Sequence, residues 1–374
     1  MSETYDAVVV GAGIVGAACA ERLSAEGLRV LVVERDYPAS GASGAAMGHV
    51  VMMDESPAQF ALTRYSRALW DALAASLPAE VEYYRPGTLW VAADEDELNE
   101  VLRKHAQYAA AAVLTAVLDS DALAEAEPNL RRPLAGALLM PGDGVLSPTA
   151  ATEYLMDCAA RRTAKTILGK AVVSAERGHL RLNDGTGISA KYIIIATGAV
   201  TTSLLPHLPI AKRKGHLILT QSYPGYARHQ LVELGYLKST HSTNTDSVAF
   251  NVQPRQSGQL LIGSSRQYGA EHPEVDTEVL NAMLRRADEY MPGINKLLKH
   301  RSWTGFRAAT PDKLPLIGPT KDPTLFLATG HEGLGITTSL ATAHLVTDCL
   351  LGRTTAIPIA PYLPSRLAGW QAPE

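Results

Sequence analysis

The chain has 374 residues, 46% of them hydrophobic and 19% charged, with 30 Gly and 22 Pro. That is the composition of a globular protein of two or three structural units, and it excludes a disordered, fibrous or low-complexity chain. Lys and Arg number 34 against 38 Asp and Glu, a net charge of -4, which leaves no electrostatic footprint for nucleic acid or an anionic membrane.

Cys19, Cys158 and Cys349 are odd in number and far apart, so neither a disulfide framework nor a paired metal knuckle is expected, and a reducing cytoplasm is the simpler compartment. The opening residues are acidic where a secretory leader needs a basic stretch, so no signal peptide is expected. No run reaches the roughly 20 uninterrupted apolar residues of a transmembrane segment.

In chain order, residues 7–10 form a short β-branched run bounded by glycine. A helical pattern follows over 14–26, ends at Gly27, and gives way to a second strand over 29–34. Strand, tight turn, helix and strand in such a short span open a doubly wound α/β fold. The loop Gly41 to His49 is too small in side-chain volume for a core element and implies close approach of backbone to something else. From about 57 to 130 the text is mainly helical, with one strand at 88–92. Residues 216–221, 231–237, 247–253 and 259–263 then read as strands of a separate antiparallel sheet. Buried parallel-type strands return at Tyr192 to Ala196 and Thr324 to Thr329, with a last helix near 337–351.

The fold class expected is therefore mixed α/β and α+β, with a Rossmann-like nucleotide domain interleaved with an antiparallel-sheet substrate domain. The nucleotide domain is assigned 1–56, 141–214 and 302–374, and the substrate domain 57–140 and 215–301.

Gly11-Ala12-Gly13-Ile14-Val15-Gly16 fits GxGxxG between a strand and a helix. Gly11 allows the tight turn, Gly13 lets backbone approach a pyrophosphate, and Gly16 permits close helix packing, with the phosphates at the positive helix end. Glu34 closes the second strand, where a carboxylate accepts from a ribose diol and repels a 2′-phosphate. The motif alone leaves FAD and NAD open. The Gly41 to His49 loop favours FAD, because a buried flavin needs a second small-residue segment, and Thr197-Gly198-Ala199 adds a small turn beside the nucleotide. Gly330 to Thr337 precedes the last helix, whose amino end is suited to stabilising negative charge on a reduced flavin.

GAGIVG, Glu34-Arg35, the S-G-A-S-G loop, Trp303-Thr304-Gly305-Phe306-Arg307, Thr310-Pro311-Asp312 with Pro315 and Ile317-Gly318, and GHEGLG occur in an order that resembles the D-amino-acid oxidase family. GHEGLGITT is most similar to the FAD subunits of heteromeric D-hydroxyproline and glycine dehydrogenases. The resemblance implies noncovalent FAD held by Gly11, Ala12, Gly13, Ile14, Val15, Gly16, Glu34, Arg35, Ala42, Ser43, Met47, Gly48, Val173, Thr197, Gly198, Gly330, His331, Gly333, Leu334, Gly335, Ile336 and Thr337.

It also implies that Arg307 pairs with a substrate carboxylate, and a planar guanidinium suits that task because it holds both oxygens at once. An ion pair of Arg307 with Asp312 or another acid is the structural alternative. His49, Asn251 and Tyr236 are weaker substrate-binding expectations. Gly333 stands where glycine-oxidase-like members carry an arginine.

The implied activity is oxidation of a small D-amino or imino acid of the D-proline or D-hydroxyproline type, by hydride transfer from the α-carbon to flavin N5. Without an iron-sulfur cysteine cluster, a dehydrogenase would need electron-transfer partner subunits, and an oligomer is expected. A self-sufficient glycine, D-amino-acid or sarcosine oxidase is the second reading. A flavin-bearing assembly subunit and a nicotinamide-dependent dehydrogenase are the alternatives of other classes.

Overall fold

The computed structural model of the chain describes residues 4–235, 246–367 and 369. Its elements in chain order begin with β1 (Tyr5–Val10), α1 (Ile14–Ala25), β2 (Val30–Val33), α2 (Pro57–Leu73), β3 (Thr88–Ala92), α3 (Glu95–Ala110), β4 (Ala116–Asp119), α4 (Ser120–Ala126), β5 (Gly136–Met140) and α5 (Pro148–Ala160). There follow β6 (Lys165–Ile167), β7 (Val172–Glu176), β8 (His179–Leu182), β9 (Gly187–Ile195), β10 (Ala211–Thr220), β11 (Gln230–Glu233), β12 (Ser247–Pro254) and β13 (Leu260–Tyr268). The last are α6 (Thr277–Tyr290), β14 (Lys299–Ala309), β15 (Leu316–Pro319), β16 (Leu325–Thr329) and α7 (Gly335–Leu350).

The first unit comprises Met1–Tyr83, Leu146–Lys212 and Phe306–Glu374. Its sheet runs β15-β16-β9-β1-β2-β6, with the β7/β8 hairpin attached to β9. β1 pairs in parallel with both β9 and β2, and β9 with β16. Such strands are buried on both faces, which is why Ala7 to Val10, Val30 to Val33 and Ile193 to Ile195 read as continuous apolar runs. On one face, Ala17, Ala20 and Leu23 of α1 share a core with α5 and α7. The small residues of α1 let these helices approach closely.

The sequence boundary at 56 is corrected here: residues 57–83 belong to the first unit. Ser56 caps α2 by accepting from the Gln59 amide, with Pro57 in the first turn. The helix then lies along α7. Trp70 Nε1 donates to the Ile336 carbonyl at 3.2 Å, Ser66 Oγ accepts from the Ala341 amide at 3.1 Å, and Tyr65 hydroxyl meets His344 Nδ1 at 3.1 Å. An amphipathic pattern shows that a helix buries a face, not against which neighbour.

The second unit comprises Tyr84–Val145 and Arg213–Gly305, and its sheet order is β14-β10-β13-β12-β11-β3-β5-β4. It is not wholly antiparallel, since β11 and β3 run in parallel with Leu231 opposite Leu89. α6 is capped by Asp276, which accepts from the Glu278 and Val279 amides. It covers one face, where Phe250 stacks on Tyr290 at 4.5 Å. Arg286 and the Tyr290 hydroxyl meet the buried Glu233 carboxylate on the same side. Among the described residues, no helix is long and apolar enough to cross a membrane.

Candidate functional site

The turn after β1 is built around contacts that exclude side chains. Gly11 has φ +103°, and a Cβ there would stand 2.7 Å from the Ala196 carbonyl oxygen. A Cβ on Gly16 would lie 2.0 Å from the Gly11 carbonyl oxygen. Helix α1 therefore starts hard against the ends of β1 and β9, and its N-cap, Gly13, supplies no side-chain cap. The positive helix end is available to an anion.

Glu34 reaches back across this turn. Its Oε2 accepts from the Ala12 amide at 2.7 Å and its Oε1 from the Asp36 amide at 2.9 Å. The carboxylate is thus fixed at the carboxy end of β2, its remaining lone pairs open to further donors. Ser43, from the small-residue loop, accepts from the Ile14 amide at 2.9 Å, so the loop joins the first turn of α1. Gly48 ends the loop at φ +88°, with a Cβ position 2.0 Å from the Leu146 carbonyl oxygen.

Two further segments are tied together within this unit. Thr201 Oγ1 meets Thr197 Oγ1 and Thr329 Oγ1, each at 3.0 Å, coupling the turn after β9 to the end of β16. Neither Thr201 nor Thr329 carries a signal in the sequence that marks it for this linkage. Thr337, in the first turn of α7, donates to the His49 carbonyl at 2.9 Å and accepts from the Val51 amide at 3.2 Å. Residues 49–51 are thereby fastened to α7. Leu334 is the α7 N-cap and offers no side-chain cap.

The remaining predicted residues divide by what their side chains do. Ile14 and Ile336 bury theirs in the core, so any contact they make with a ligand comes from backbone. Met47 is buried. His331 is also buried, its ring Nε2 hydrogen-bonded with Thr342 Oγ1 at 2.9 Å and its pKa pushed down to about 3 by burial, which keeps the ring neutral at physiological pH. Arg35 is exposed and pairs with Asp36, and Ala42 is exposed. Val173 points outward on β7 while Val172 packs inward. Asn251 is on β12 of the second unit, and Tyr236 lies outside the described residues.

Arg307 sits near the carboxy end of β14, past the unit boundary, in the first unit. A Cβ on Gly333 would lie 3.9 Å from its Nε, so the loop before α7 passes along the guanidinium with no side chain interposed. Asp312, one candidate partner for Arg307, is held by Arg366 through two bonds of 2.7 and 3.0 Å. Burial works to raise the Asp312 pKa, but the Arg366 bonds and charge outweigh it and hold the carboxyl below its usual range.

A glycine turn closed against backbone, a carboxylate at the end of β2, and an α1 whose N-cap residue brings no side chain define a dinucleotide-binding protein, and the residues present fit FAD. Gly11 to Gly16 and Ser43 would hold its phosphates and Glu34 its ribose. The family model of DAO, FAD dependent oxidoreductase, matches residues 6–349, and the chain belongs to that family. It is an FAD-dependent oxidoreductase.

The chain is 28% identical to a glycine oxidase of Geobacillus kaustophilus, covering 99% of each chain. It is 25% identical to the hydrogen cyanide synthase subunit HcnC of Pseudomonas aeruginosa, over 98% of this chain and 97% of the other. The crystal structure of the Geobacillus kaustophilus glycine oxidase superposes with a TM-score of 0.88 at 27% identity, over 98% of this chain and 99% of that one.

Proposed function

We propose that the protein oxidises a small amino or imino acid at its α-carbon, with Arg307 holding the substrate carboxylate. The observation that carries this reading is the position of Arg307: it lies in the dinucleotide unit, against Gly333 in the loop before α7. Two parallel N–H···O bonds to a carboxylate fix both position and orientation, so the α C–H is presented in one pose. FAD, when bound, supplies the two-electron acceptor. On the substrate the α C–H bond breaks with its electron pair, the amine lone pair closes C=N, and an imine leaves for hydrolysis or cyclic release.

The substrate class we favour is a D-proline or D-hydroxyproline type imino acid, with the chain acting as a dehydrogenase subunit that passes electrons to partner subunits. A second reading, a self-sufficient glycine oxidase, is supported by the full-length similarity to relatives of that name. Anaerobic titration of the FAD-loaded protein with D-proline, cis-4-hydroxy-D-proline, glycine, sarcosine and D-alanine separates them. Bleaching of the flavin band by an imino acid, with slow recovery in air, supports the dehydrogenase. Bleaching by glycine with fast recovery supports the oxidase, and no bleaching by any of them rejects amino-acid oxidation.

A further inference from the structure

Arg307 and Gly333 belong to the same unit, and backbone holds one against the other. Two residues beyond Arg307, Ala309 pairs with His331 in an antiparallel bridge. The His331 ring is bonded to Thr342 of α7, and the His331 carbonyl accepts from the Leu334 amide at 2.9 Å. Gly333 is carried between these fixed points and is itself exposed.

The loop holds glycines of two kinds. Gly330 has φ +79°, and a Cβ there would stand 2.7 Å from Thr310 Cγ2, so conformation and packing both demand it. Neither demands Gly333. Its φ lies outside the left-handed region, which Glu332 occupies in this turn at +52°. Among the described residues, a Cβ on Gly333 would meet Arg307 alone, 3.9 Å from Nε and 4.0 Å from Cδ, both ordinary contact distances.

Glycine gives up more conformational freedom on folding than any other residue, so one that local sterics do not require marks close approach by something else. The Cβ direction says where. A longer side chain at 333 would run along the Nε edge of the guanidinium, one of the edges by which arginine takes a carboxylate through parallel bonds.

We propose that Gly333 sets the size of acid that Arg307 accepts. With no side chain at 333, an acid held on the Nε edge has room for a substituent on its α-carbon, so the accepted class extends beyond glycine to branched and cyclic acids. The inference deepens the proposed function, on which it rests, and makes Gly333 a specificity-determining position rather than a contact of the cofactor.

The test uses the FAD-loaded full chain and carboxylates that have no amine to oxidise: acetate, isobutyrate and cyclopentanecarboxylate. The apparent Kd is read from perturbation of the flavin absorption. The parent protein is expected to bind the two larger acids at least as tightly as acetate. In Gly333→Val the ratio of the cyclopentanecarboxylate Kd to the acetate Kd is expected to rise about 10-fold or more, the discrimination that one or two misplaced carbons bring. In Gly333→Ala it should rise in the same direction by a smaller factor. Anaerobic bleaching by glycine and by D-proline reads the same ratio on oxidisable acids.

A parent protein that binds acetate alone, or a ratio unmoved in both variants, overturns the inference. Loss of flavin from Gly333→Ala overturns it too, because the glycine would then serve the cofactor; loss from Gly333→Val only leaves the decision to the alanine ratio. If no amino acid bleaches the flavin but the carboxylate ratio shifts as described, Gly333 sets the size of the acid and the oxidation reading fails.

Discussion

The Arg366 guanidinium takes both oxygens of Asp312, with Nε 2.7 Å from Oδ2 and Nη2 3.0 Å from Oδ1. Arg366 also donates to the Leu314 carbonyl at 2.6 Å, so the loop carrying Thr310 to Pro315 is clamped to the helical turn Pro364–Leu367. Replacing Arg366 by Met leaves a half-buried carboxylate without its cation. The expected loss is about 1–3 kcal/mol of stability, the cost of an unmatched charged hydrogen-bond partner. Chemical denaturation at pH 7 measures it. The Asp312 contribution is present above the ordinary carboxylate pKa and lost as pH falls through the depressed folded value, so Arg366→Met should destabilise less at pH 3 than at pH 7.

Arg307→Leu is expected to raise the apparent Kd or KM for an amino-acid substrate by about 100-fold or more, the loss of two charge-assisted bonds. Arg307→Lys, which keeps the charge but not the fork, should fall between the two. FAD content, read as the ratio of flavin to protein absorbance, should be unchanged. A substrate amide in place of the carboxylate should be poor with the parent protein and gain nothing further from the lysine variant.

Gly16→Ala places a methyl 2.0 Å from the Gly11 carbonyl oxygen. Both partners are backbone, so α1 must move away from β1, at a cost of about 1–3 kcal/mol. The displacement falls at the turn that would hold the FAD phosphates, and the purified variant should carry substoichiometric flavin. Full flavin occupancy with an unshifted Tm would show that the turn tolerates the methyl.

His331 has a folded pKa pushed down to about 3, against an ordinary value of 6.5, because burial disfavours its charged form. The unfolded chain binds a proton below pH 6.5 that the folded chain refuses. Stability from this group is complete above 6.5 and declines as pH drops from there towards 3, by up to about 1.4 kcal/mol for each pH unit. His331→Gln, which retains a hydrogen-bonding group near Thr342, should flatten the dependence of Tm on pH between 6.5 and 4.

The local parts of the dinucleotide site were legible because they depend on neighbours in sequence. Gly11, Gly13 and Gly16 announce a strand-to-helix turn, and β-branched runs such as Val30 to Val33 announce buried parallel strands, since backbone sterics and side-chain periodicity act over a few residues. The same locality explains why Glu34 could be placed at a strand end.

What required the folded chain was every pairing between distant residues. That α2 lies on α7 and so belongs to the dinucleotide unit depends on Trp70 reaching the Ile336 carbonyl. That Asp312 is taken by Arg366 depends on residues 364–367 folding back over residues 310–315, and that the His331 ring is engaged depends on Thr342 in the helix that follows it. Composition and spacing determined which elements form; burial and hydrogen-bond partnership, which follow from contacts far apart in the chain, decided what each residue does there.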